Sequence, residues 1–156
     1  MKKILLSFQP YWVEKIMNGD KIYEYRKRFC NEPVIAYMYV SAPVKAVTGI
    51  VHLGKKTKLS DWREQYKNNS DIVERIDDFM TRNNIVMPIE KVIPTSAVTL
   101  DELRSNIPGF KAPQMYYDLD ANPALLNFIE KNIRILLGEF ENNFLVDTSR
   151  KVCEKL

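Results

Sequence analysis

Four runs of strand length crowd into residues 3–53 around one short helix, and that density of strands directs the chain toward a small sheet-rich fold. Lys3 to Phe8 is a short apolar run. Pro10 then supplies a favourable first helical position for a helix from Tyr11 to Met17, which Asn18-Gly19 stops. From Lys21 to Arg28 the pattern alternates, with Tyr23, Tyr25 and Lys27 on one side and Ile22, Glu24, Arg26 and Arg28 on the other. Val34 to Val40 and Ala46 to Leu53 follow as two more strands across the turn Ser41-Ala42-Pro43, and Lys55, Lys56 and Lys58 close the block.

Beyond residue 58 the character changes. Ser60 and Ser70 are candidate caps for two helices, and Ile72, Val73, Ile76, Phe79 and Met80 recur at helical spacing, so this excursion packs on the sheet. Ile85 to Ile93 reads as a strand that Pro88 and Pro94 push to an edge or a bulge. Thr99 and Glu102 form a capping box for a short helix. Residues 110–117 read as a loop entering a short strand. Asn122-Pro123 opens a helix whose apolar face, Leu125 to Leu137, ends at Gly138. From Glu139 onward no clear pattern emerges. The chain therefore reads as one α+β domain over residues 1–156: a small mixed β-barrel with flanking helices, a helical insertion at about 59–84 and a C-terminal helix at about 123–137.

Several functional classes recede on composition alone. No apolar run approaches the roughly 20 residues of a membrane helix, and Gln9-Pro10 interrupts the N-terminal run too early for a signal peptide, so a cytoplasmic address is expected. Cys30 and Cys153 lack partners at ligand spacing, and His52 stands alone on its strand, so neither a metal nor another cofactor is expected. No nucleophile elbow or phosphate-cradling glycine loop is present. The net charge of +3 conceals a split: residues 1–58 carry 11 Lys/Arg against 4 Asp/Glu, and the remainder 12 against 16. Concentrated basic charge points to an anionic partner, usually nucleic acid.

The segment from Gly19 to Arg28 resembles the signature of the ASCH (activating signal cointegrator homology) domain, a proline, a helix and then Gly-x-Lys-x-x-Glu-x-Arg, matched by Pro10, Gly19, Lys21, Glu24 and Arg26. Leu6 to Pro10, Tyr39 to Val44, Gly49 to Val51 and Ala112 to Tyr117 are similar to further stretches of that family, in the same order. The resemblance implies a PUA-like fold and a role with RNA or nucleotide-related ligands. It also places Tyr117 near a ligand groove.

The residues themselves support two readings of this strand. Glu24, flanked by Arg26 and Arg28, is an oriented acceptor beside guanidinium donors for a phosphate or base edge, and Lys21 is a mobile point charge suited to phosphate. The plainer reading is an ion pair bracing the barrel. Ser7, Ser41 and Gln114 are candidates for reading base edges, or for closing turns. The expected function is recognition of RNA or a modified base in a basic groove. Some small bacterial ASCH proteins instead deacetylate N4-acetylcytidine, using a lysine, a threonine three residues later and a more distant glutamate; here the threonine position is Glu24. Lys21 and Glu24 are the candidate catalytic pair if the chain is an enzyme of that kind, or of the ribonuclease-like kind attributed to other relatives.

Overall fold

The strand alternation of the first 53 residues folds into a sheet buried on both faces, as the computed structural model of residues 1–156 describes. Ile4, Leu6 and Phe8 of β1 (Lys2–Phe8) face one core, and Leu5 faces another. Helix α1 (Pro10–Met17) lays Val13 and Ile16 on the first core. β2 (Tyr23–Arg26) is shorter than the run of alternation, because Lys27 and Arg28 lie in a bend beyond its last residue. β3 (Val34–Val40) pairs with β1 in parallel and with β4 (Ala46–Leu53) antiparallel. Two-sided burial explains why these strands read as nearly unbroken apolar runs.

β5 (Thr57–Lys58) leads into α2 (Leu59–Gln65) and α3 (Ser70–Met80), the helical excursion expected from the sequence. Its caps fall earlier than read: Lys58, two residues before Ser60, precedes α2 without a side-chain cap, and Asn69, one residue before Ser70, caps α3 by accepting from the Ile72 N–H at 3.2 Å. Ile72 and Ile76 join Leu59, Ile22, Tyr23, Val86, Val152 and Cys153 in a third, smaller core.

β6 (Ile85–Thr99) departs most from expectation. It runs 15 residues instead of ending at Ile93, and it sits inside the sheet, not at an edge. The proline signal was right about bulging: Pro94 faces Gly49, where the register with β4 shifts, and a second shift lies near Pro88, between His52 and Leu53. The first residues of β6 pair with β2 on one side and β5 on the other, and its later residues pair with β4. Path order is β2-β6-β4-β3-β1-β7, with β7 (Tyr116–Asp118) following α4 (Leu100–Asn106). Thr99 caps α4 as expected, its hydroxyl accepting from the Glu102 N–H at 3.1 Å, while the Glu102 carboxylate accepts from that hydroxyl, also at 3.1 Å.

Helix α5 (Pro123–Asn132) stops five residues short of the expected Leu137. From Ile133 the chain is extended and docks on the remaining edge of β6: Ser96 N–H donates to the Arg134 carbonyl at 2.8 Å, and Leu136 N–H to the Pro94 carbonyl at 2.9 Å. β8 (Phe140–Glu141) continues this cover opposite Lys91 and Val92. Backbone groups of a central strand demand partners, and that demand overrides the helical spacing of Ile133, Leu136 and Leu137. No helix is long and apolar enough to cross a membrane.

Candidate functional site at the barrel seam

The curled sheet does not close. β2 is one end of the strand path, and β1 extends past the three-residue β7 at the other, so Ser7 and Phe8 come opposite β2 without pairing to it. Across this seam the Arg26 guanidinium donates to the Ser7 carbonyl at 2.9 Å and lies 5.3 Å from the Phe8 ring centroid.

Local sequence aims the rest of the site. Gly19 takes φ +82 after the last turn of α1, the left-handed backbone that glycine adopts without strain. The Lys21 N–H then reaches back to the Lys15 carbonyl at 2.9 Å. This reversal sends the Lys21 side chain against α1, its Nζ 5.1 Å from the Trp12 ring centroid and 5.0 Å from that of Tyr25. Only 8 % of Lys21 and 6 % of Glu24 is exposed. Glu24 Oε1 accepts from the Tyr25 N–H at 3.2 Å and lies 3.7 Å from Lys21 Nζ, while Oε2 accepts from Arg26 at 3.3 Å. The structure thus brings Lys21, Glu24 and Arg26 into one set.

Two hollows meet over Glu24 and share Gln9, Trp12 and Tyr25. The smaller, about 500 Å³, holds Ser7, Ser41, Gln114 and Arg26, so these three polar candidates do converge on the seam. The larger, about 770 Å³, is walled by the end of α3 and by the last residues of the chain, among them Arg82, Lys151, Glu154 and Lys155. The tail is tied there: Cys153 N–H donates to the Tyr25 hydroxyl at 2.8 Å, Tyr23 and Thr148 hydroxyls lie 2.9 Å apart, and Arg75 donates to the Ser149 and Val152 carbonyls.

Two predicted site residues lie elsewhere. Arg28 is exposed in the bend after β2, where the alternation no longer applies. Tyr117 shares the face of its pairing partner Leu5 and lines neither hollow described above, with its ring 6.3 Å from Phe110 and its hydroxyl donating to the Lys111 carbonyl at 2.8 Å. Nor is the groove basic. The larger hollow is lined by Lys21, Arg82, Lys151 and Lys155 and by Asp20, Glu24, Asp78 and Glu154. Three of those cations are paired there: Lys21 with Glu24, Lys151 with Glu154 at 3.3 Å and Lys155 with Asp78 at 4.0 Å. Gln9, Arg82 and the tail residues were missed from sequence. Gln9 adjoins the signature proline and was within reach; nothing local marks the tail.

Burial pushes the Lys21 ammonium below the ordinary lysine range, and the Glu24 carboxylate only partly opposes it. Between the folded value and the ordinary value the unfolded chain binds more protons, so stability rises with pH across that window. The stability of the wild type relative to Lys21→Met is therefore expected to increase as pH rises toward the ordinary lysine value of about 10.4, read from paired thermal melts. A constant difference would show that Lys21 keeps its proton in the fold as readily as in water.

No family model matches the chain. An ASCH domain-containing ribonuclease of Zymomonas mobilis is 25% identical over 130 residues, 72% of this chain and 81% of that protein. The crystal structure of ASCH from Zymomonas mobilis superposes with a TM-score of 0.66 at 19% identity, covering 85% of this chain and 96% of that one. A serine-to-alanine variant of the same protein gives 0.65 at 18% identity over 85% and 97% of the two chains. The curled mixed sheet with flanking helices is the PUA-like α+β fold. The signature residues, now gathered at one seam, and this fold both make the chain similar to ASCH domain proteins.

Proposed function

We propose that the chain is an RNA-directed module whose seam groove receives an unpaired nucleotide. One observation carries this reading: a buried carboxylate, held by Lys21 and Arg26, sits where two hollows meet beside an aromatic wall. Glu24 retains acceptor capacity for an amino group on a base edge, Gln9, Gln114, Ser7 and Ser41 add neutral donors and acceptors, and Trp12 offers a face for stacking. The name of the Zymomonas relative, a ribonuclease, points to the same polymer.

The test is anisotropy with a fluorescent single-stranded RNA of mixed sequence. Trp12→Ala is expected to weaken binding by about 1–3 kcal/mol, the usual worth of one stacked base. Wild-type protein that binds neither RNA nor DNA at low salt ends this reading.

A second reading, RNA cleavage, is favoured by one feature of Lys21. A desolvated amine has a larger neutral fraction near neutral pH, and so can accept a proton from a hydroxyl. The same RNA recovered intact after prolonged incubation would eliminate cleavage and leave binding. Amide hydrolysis has weaker support, since Glu24 stands where the nucleophilic hydroxyl is needed.

A further inference from the structure

The basic charge of the first 58 residues is largely outside the groove. β2 and β5 flank the start of β6, Arg26 and Lys58 both facing Ile85, so the segments that follow β2 and precede α2 meet at one end of the barrel. Asn84 joins them: its N–H donates to the Arg26 carbonyl at 3.0 Å, its side-chain amide to the Lys27 carbonyl at 3.2 Å, and its own carbonyl accepts from the Leu59 N–H at 2.9 Å. Lys56 Nζ crosses to the Phe29 carbonyl at 2.8 Å. The result gathers Lys27, Arg28, Lys55, Lys56 and Lys58 on one ridge, with all but Lys56 exposed.

None of the five takes part in an ion pair, whereas the groove cations are mostly matched. Like charges held together by backbone hydrogen bonds, with no counter-charge supplied, raise the local potential and favour a polyanion. The ridge also adjoins the groove. Arg26, which lines the smaller hollow, immediately precedes Lys27, and Arg82, which lines the larger, lies two residues before Asn84.

We propose that this ridge carries the phosphate backbone of an RNA strand whose unpaired nucleotide occupies the groove. The proposal rests on the RNA reading above and adds a division of labour: the charge-balanced seam reads the base, and the ridge holds the backbone. Mononucleotides and dinucleotides should engage the groove alone, and longer strands both surfaces.

The experiment compares the wild type with Lys27→Gln/Arg28→Gln/Lys55→Gln on a dinucleotide and on a 12-nucleotide single-stranded RNA across a salt series. All three substitutions lie on exposed residues, and circular dichroism confirms folding. The triple variant is expected to bind the long RNA more weakly by between about tenfold and about a hundredfold at 0.1 M salt. Its slope of log K against log salt should be shallower by up to about 2, at roughly 0.7 per lost phosphate contact. Dinucleotide binding should be unchanged. An unaltered slope on the long RNA, with Trp12→Ala still impaired, overturns the ridge alone. Loss of wild-type binding to every RNA overturns both proposals. Ridge-dependent binding to phosphatidylserine–phosphatidylcholine vesicles, with no ridge effect on RNA, assigns the surface to a membrane and overturns it as well.

Discussion

Glu24→Ala is expected to remove about 3–5 kcal/mol of folding stability, the usual consequence of breaking a buried ion pair from one side. The carboxylate is almost fully enclosed and answers three donors: Lys21, Arg26 and the Tyr25 N–H. Arg26 tolerates the loss best, being partly exposed and still bound to the Ser7 carbonyl. Lys21 does not, because its remaining neighbours there are the Trp12 and Tyr25 rings, which attract a cation more weakly than a carboxylate does. Lys21→Met should therefore cost less in the Glu24→Ala background than in the wild type, a coupling of about 1–3 kcal/mol by denaturant unfolding. Additive losses would show that the two side chains do not depend on each other.

Ile76→Ala is the second large effect, about 2–5 kcal/mol for emptying a fully buried position. Ile76 stands in the small core where α3 meets Tyr23, Leu59, Val152 and Cys153. A cavity there loosens the excursion and the tail together, and those two elements wall the larger hollow. Cys153 reports the loosening. Its thiol is fully buried, and burial pushes it up to about 12, so native protein should resist alkylation at this site. In Ile76→Ala, labelling of Cys153 followed by mass spectrometry should accelerate well below the unfolding transition. Destabilisation with Cys153 still protected would mean that the tail is held by Tyr25 and Arg75 without help from α3.

What the sequence disclosed followed physical range. Lys21, Glu24 and Arg26 were legible because they lie within six residues, on a strand and its lead-in, whose entry is dictated by a glycine with positive φ. Ser7, Ser41 and Gln114 were singled out for hydroxyl and amide groups that can read a base edge, and they do gather at the seam. Arg28 and Tyr117 lie outside the seam for opposite reasons. The strand ended before Arg28, and for Tyr117 strand pairing fixed its face, which its own segment does not encode. The helix read through Leu137 is an instance of tertiary demand, the uncovered edge of β6 drawing residues 134–141 into extended structure. Lys151, Glu154 and Lys155 reach the groove from more than a hundred residues away along the chain, a juxtaposition that no local pattern announces.

The seam has one more consequence, for how the molecule behaves among its own copies. An open sheet ends in a strand with unpaired backbone, and such an edge is a template on which another chain can add a strand and begin to aggregate. β2 is that strand here, and its Tyr25 N–H points away from β6. Glu24 caps this donor with its own side chain, and Lys21 and Arg26 surround the cap with charge. With four residues to offer, β2 presents little length to an incoming strand. The groups proposed to receive a nucleotide also disfavour strand addition along this edge, so changes that adapt the pocket to a new ligand are constrained by the need to keep that edge closed.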